Sequence, residues 1–112
     1  MKLPNGHQAD LGLKLEEYSL NLLHREGQHK ARVFLSALGI SLDNAHLLRD
    51  AILQAAHTSD EVEIRGDNGF GDIYVLRFLM QTDGGTALVL TAWIIRQDED
   101  FPRLTTCYIL SS

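Results

Sequence analysis

Cysteine is nearly absent: Cys107 stands alone, so the chain holds neither an internal disulfide nor a Cys-pair metal site. Basic residues are scarce beside acidic ones, ten Lys and Arg against fifteen Asp and Glu, for a formal charge of −5. General attraction to nucleic acid or to an anionic membrane is therefore not expected, and a phosphate-bearing ligand needs a local basic patch. The longest mostly apolar stretch, Ala87 to Ile95, is broken by Thr91 and is only half the ~20 residues of a membrane-spanning helix. The start, MKLPNGHQAD, lacks the basic, apolar and cleavage regions of a secretory signal, and a cytoplasmic location is expected. Internal repeats and low-complexity tracts are missing, as are a Walker loop, a dinucleotide glycine fingerprint and a G-x-S-x-G elbow. What is present, 112 residues that are 45% hydrophobic and 22% charged, suits a single domain over residues 1–112, large enough to bury its own core.

The hydrophobic period changes once, near residue 60. Before it the pattern is helical over about residues 13–57: a short helix around Leu13 to Leu20, a break at Leu23 to Gln28, then a clear helix from His29 to Leu38. Ala31, Phe34, Leu35 and Leu38 recur there at i, i+3, i+4 and i+7, and Gly39 supplies the C-terminal stop. A third helix follows the N-cap candidate Ser41 and runs to about His57, with Ala45, Leu48, Ala51, Ile52 and Ala55 on one side and His46 and His57 on the other. After residue 60 the pattern is that of strands, about residues 61–110. Val62 and Ile64 alternate with charges, a Gly-rich turn spans Gly66 to Gly71, and Ile73 to Met80 and Thr86 to Arg96 flank the hairpin signal Asp83-Gly84-Gly85. A last strand, Leu104 to Leu110, follows the loop ending at Pro102. The expected fold is α+β, with N-terminal helices packed on one face of a mostly antiparallel four-stranded sheet.

Period-two alternation suggests which face is left open. Arg77 interrupts the set Ile73, Val75 and Leu79, so Tyr74, Leu76, Phe78 and Met80 are expected to meet the helices. In the next strand Leu88, Leu90, Ala92 and Ile94 form the more apolar set, which would leave Thr91 and Trp93 on the open face beside Arg77. With Cys107 and Ile109 as core, Thr106 and Tyr108 join that face. A one-residue slip in any strand would reverse its contribution.

The densest basic and imidazole run is His24-Arg25-Glu26-Gly27-Gln28-His29-Lys30-Ala31-Arg32. A Gly-containing loop entering a helix offers backbone N–H groups to an anion, and Lys30 and Arg32 flank the apolar stripe, so their stems can run along the core edge with their charges at the sheet margin. An ordinary solvated helix start would carry the same residues. His24 and His29 are five apart rather than four, so no metal site is expected, and no cofactor either. The glycines of Gly66 to Gly71 join two strands and read as a turn rather than a phosphate loop. Cys107 reads as a buried small residue. Trp93 reads either as a stacking platform or as core.

The segments Lys14-Leu15 with Tyr18 and Asn21, Gly27 to Phe34 with Leu38-Gly39, Ala92-Trp93-Ile94, and Phe101-Pro102-Arg103 through Cys107-Tyr108 resemble a family of small uncharacterised bacterial domains with an HKARVF-type string. Such domains occur alone and as C-terminal domains of polymorphic toxins, and their layout is similar to the barnase, EndoU and RelE class of metal-independent ribonucleases. By that resemblance His29 would serve as base or acid, Lys30, Arg32 and Arg103 would hold phosphate, Thr106 and Tyr108 would donate hydrogen bonds, Trp93 would stack a base, and Arg77 would line the binding face. RNA or another phosphate-bearing ligand is then the expected partner, with no membrane. Two alternatives stay open. A noncatalytic binding or regulatory module would use the same face for a protein partner or small anion, and a small oligomeric structural domain would need only that face's apolar residues.

Overall fold

The computed structural model describes residues 1–111. Two helices, α1 (Gln28–Leu38) and α2 (Ala45–Thr58), precede four strands, β1 (Val62–Asp67), β2 (Gly71–Thr82), β3 (Gly85–Arg96) and β4 (Arg103–Ser111). The sheet is antiparallel throughout in the order β1-β2-β3-β4, each strand pairing with its sequence neighbour. The expected α+β arrangement is observed, helices first and sheet second.

The first helical segment is shorter than its periodicity suggests: Leu15–Ser19 forms one π-helical turn, in which the Leu20 amide donates to the Leu15 carbonyl at 2.8 Å. α1 ends as expected, because Gly39 takes the left-handed conformation (φ 67°) that lets its amide close back on Leu35. Ser41 caps the next segment through its hydroxyl, which accepts from the Asp43 amide, while the Asn44 side chain accepts from the Ser41 amide. Thr82, beside the β2–β3 turn, donates its hydroxyl to the Leu38 carbonyl at 2.6 Å and ties the hairpin to the end of α1.

The helices cover one sheet face through Leu15, Phe34, Leu38, Leu48 and Ile52, packed against Tyr74, Leu76, Met80, Val89, Trp93, Leu104 and Cys107. β3 is reversed from the sequence expectation. Ala87, Val89, Thr91 and Trp93 point into the core, and Leu88, Leu90, Ala92 and Ile94 lie on the opposite face, where they pair with Leu79, Arg77, Val75 and Ile73. The buried polar atoms of Thr91 and Trp93 are satisfied: the indole N–H donates to Thr91 Oγ1 at 2.9 Å, and that hydroxyl donates to the Leu76 carbonyl at 3.0 Å. Two smaller departures follow from limited helix coverage. Leu35, expected in the buried stripe, is exposed, and so is Ile64 on the edge strand β1.

Candidate functional site

Lys30 lies on the flank of α1 nearest the edge strand β4. Its half-buried stem carries Nζ to the strand, where it donates to Thr106 Oγ1 at 3.2 Å and to the Tyr18 hydroxyl at 3.0 Å. The ammonium also sits 4.5 Å from the centre of the Tyr18 ring and 5.4 Å from that of Tyr108. Among the described residues it has no carboxylate within 4.0 Å. With hydroxyls and aromatic rings as its partners, the ammonium has no carboxylate among the described residues to compete with an incoming anion. Because Lys30 is the donor in both bonds, the protons of Tyr18 and Thr106 are directed elsewhere and remain available to oxygen acceptors. Strand β4 is bulged beside this point: Ala92 pairs with Thr106 and Trp93 with Leu104, so Thr105 is the extra residue.

Two imidazoles border the cluster. His29 is exposed and lines a cavity of about 230 Å³ with Lys30, Val33, Tyr108 and Ile109. His24 packs edge to face with Tyr18, the ring centroids 4.8 Å apart. Its Nδ1 accepts from the amides of Glu26 and Gly27 at 3.0 and 2.9 Å, which leaves the proton of the neutral ring on Nε2. Two of the loop amides that the sequence offered to an anion are thereby occupied. Gly27 is required for a different reason: a Cβ there would lie 2.2 Å from the Tyr18 carbonyl oxygen. Tyr18 and His24 open on the other side to a cleft of about 510 Å³ that also meets Lys14, Arg96, Arg103 and Thr105.

Of the residues singled out from the sequence, His29, Lys30, Thr106 and Tyr108 come together. Arg32 does not; it is exposed and donates to the Gln28 side chain one turn back. Arg103 borders the cleft but holds both oxygens of Glu99 at 2.8 Å and Asp10 at 3.3 Å. The guanidinium hydrogen bond pulls the Glu99 carboxyl below its ordinary value despite an opposing desolvation effect. Arg77 is on the open face, two strands from β4, and is bound to Glu63 at 3.0 Å. Trp93 is fully buried and cannot stack a ligand. Burial pushes the Cys107 thiol up to about 12, which keeps it protonated and unreactive. No group of three His, Cys, Asp or Glu side chains arranged to hold a metal occurs among the described residues. Tyr18 and His24 were present in the sequence patterns but carried no assigned role. Only the folding of the π turn against Gly27 brings them to Lys30.

The model of DUF6883, a domain of unknown function, matches residues 2–111 of the chain. No curated protein matches it. Among solved structures, the fold is similar to a chain of the contact-dependent growth inhibition toxin–immunity protein complex from Klebsiella pneumoniae 342. The TM-score is 0.67 at 14% identity, over 91% of this chain and 98% of that one.

Proposed function

Because the chain belongs to the DUF6883 family, a domain of unknown function, its activity must be read from its own residues, and we propose that it is a ribonuclease that cuts by general acid–base transesterification without a metal. The observation that carries this reading is Lys30, a cation with hydroxyl partners and no carboxylate within 4.0 Å among the described residues, bordered by two imidazoles. One imidazole takes the proton of a ribose 2′-OH, and the oxygen attacks the adjacent phosphorus. The bond to the 5′ oxygen then breaks as that oxygen takes a proton from the Tyr18 hydroxyl, which regains one from water. The products are a 2′,3′-cyclic phosphate and a free 5′-OH. Lys30, Tyr18 and Thr106 offer donors to the extra negative charge of the five-coordinate phosphorus, where stabilisation is worth most. His29, whose ring no hydrogen bond among the described residues holds, is the imidazole that takes the 2′-OH proton; His24, with Nδ1 taken by two amides, offers only its Nε2–H as a donor toward the cleft. A chain of a toxin–immunity protein complex shares the fold, which is compatible with this reading and equally with the protein-binding one below.

The test is incubation of purified protein with a mixed RNA pool in EDTA, followed by end-group analysis. Cyclic phosphate ends that depend on Lys30 support the reading, and intact RNA under every condition rejects it. A second reading, a noncatalytic module that holds a protein partner on the open sheet face, is favoured by Leu79, which is 71% exposed on that face. Intact RNA together with a partner footprint on Leu79 would favour it instead.

A further inference from the structure

The cleft beside His24 does not end at β4. It adjoins a second hollow of about 640 Å³ through the shared Ile94, Arg96 and Thr105, and together the two line a path from Tyr18 across the bulge of β4 to the β1–β2 turn. Phe70 stands at the far end of it. Its side chain is 75% exposed on a turn held by its own polar groups: Asp67 Oδ1 accepts from the Gly69 amide, Asn68 Oδ1 from the Phe70 amide, and the Phe70 carbonyl from the Gln97 amide. A large apolar ring on so well-fixed a turn presents a flat face to solvent without support from core packing. Arg96, which pairs across β2–β3 with Gly71, the residue after Phe70, is exposed and has no carboxylate within 4.0 Å among the described residues.

We propose that this groove carries a single strand of RNA away from the Lys30 site, with Arg96 meeting a phosphate and Phe70 stacking a base. The proposal rests on the ribonuclease reading for the position of the cut, whereas the strand-binding it describes can be measured without cleavage. Arg96 lies four residues along β3 from Ala92, the partner of Thr106, so the groove extends about 13 Å beyond the Lys30 cluster at ~3.3 Å per residue. That length takes a short run of extended strand. A duplex would turn its bases inward and leave Phe70 without a partner, so the preference is for unpaired RNA. The groove is not uniformly basic. Arg103 compensates Asp10 and Glu99, but Asp98 lines the Phe70 end and Glu17 the Tyr18 end. Stacking therefore carries more of the affinity than phosphate contacts do, and salt should weaken binding only gently.

The experiment uses a fluorescent single-stranded oligonucleotide with 2′-O-methyl sugars, which cannot be cut through the 2′ oxygen, and follows binding to the full chain by anisotropy. Phe70→Ala is expected to weaken binding about tenfold or more, Phe70→Trp to retain it, and Arg96→Gln to weaken it by a smaller factor with a shallower salt dependence. The duplex of the same sequence should compete poorly. Equal binding by Phe70→Ala and wild type, equal competition by the duplex, or no binding by wild type at low salt would each overturn the groove. Binding that depends on Phe70, in a protein that leaves unmodified RNA intact, would support the groove and reject the ribonuclease. Cleavage indifferent to Phe70 would do the reverse.

Discussion

Lys30 and Thr106 are 76 residues apart in sequence, yet Nζ of one donates to Oγ1 of the other at 3.2 Å. That bond joins α1 to the edge strand and places a positive charge where the helical layer meets the open sheet face. It sets up the most direct prediction. Lys30→Met keeps most of the stem and removes the charge, so melting should change little, while inorganic phosphate should no longer shift the amides of His29, Lys30 and Thr106 in NMR titrations. RNA cleavage should fall by ~10²-fold or more. Phosphate shifts that survive the substitution would place the anion elsewhere.

His29 and His24 separate catalytic from structural loss. His29 is exposed and no hydrogen bond among the described residues holds its ring, so His29→Ala should cost on the order of 0.5 kcal/mol in stability while slowing cleavage ~10²-fold or more. His24→Ala should slow cleavage too, but it also leaves two amides without their acceptor, for about 1–2 kcal/mol. Urea denaturation beside RNA end-group assays measures both. Unchanged cleavage by the His29 variant would remove that residue from the reaction.

Thr91 should be indispensable to the core despite its polarity. In Thr91→Val the shape persists but the Trp93 indole N–H loses its acceptor at 0% exposure, a cost of about 1–3 kcal/mol. Urea unfolding of the variant would show this as a lower midpoint with an unchanged slope. No change would mean that the indole finds another acceptor.

The same pair marks where the sequence stops being informative. α1 could be read because Ala31, Phe34 and Leu38 sit on one stripe and Gly39 closes it; β2 and β4 could be read because Arg77 and Thr106 interrupt one of their two faces. β3 is central and largely apolar on both faces, so alternation alone does not choose between them, and the more uniformly apolar set is the wrong guide. The Thr91–Trp93 hydrogen bond that makes the other choice workable exists only once the strand is folded. The site divides in the same way. Lys30 reaching the sheet margin beside Thr106 and Tyr108 follows from helix and strand periods, but Tyr18 lies in a π turn whose five-residue step leaves no periodic trace.

Gly27 should tolerate no side chain. Its φ of −80° suits any residue, so the constraint is space: the added methyl of Gly27→Ala would meet the Tyr18 carbonyl oxygen at 2.2 Å, and backbone has to give way. The expected loss is about 1–3 kcal/mol, with Tyr18 displaced from Lys30 and phosphate binding weakened beyond what the stability change explains. Phosphate titration well below the melting temperature separates the two effects. A stable variant that binds phosphate normally would show that the π turn can shift without disturbing the site.

The segment that carries Tyr18 is also fastened by charge, and acid should release it. Arg49 on α2 donates to Glu16 Oε1 at 2.7 Å and to the Gly12 carbonyl at 3.2 Å. Partial burial alone would push the Glu16 carboxyl up, but the Arg49 hydrogen bond and charge outweigh it, and the net shift is below the ordinary 4.5. A carboxyl whose folded value is depressed binds its proton less readily than in the unfolded chain. The stability it adds is therefore fully present above about 4.5 and is lost as pH falls through the lower, folded value. The Glu16 side chain is 36% exposed, so solvent screening holds this contribution to about 0.5 kcal/mol. Arg49→Met should lower the melting temperature at neutral pH and should narrow its deficit as the pH falls through the acid range. A deficit that stays constant across that range would mean that Arg49 supports the segment through Gly12 and its own packing, with no contribution from the Glu16 charge.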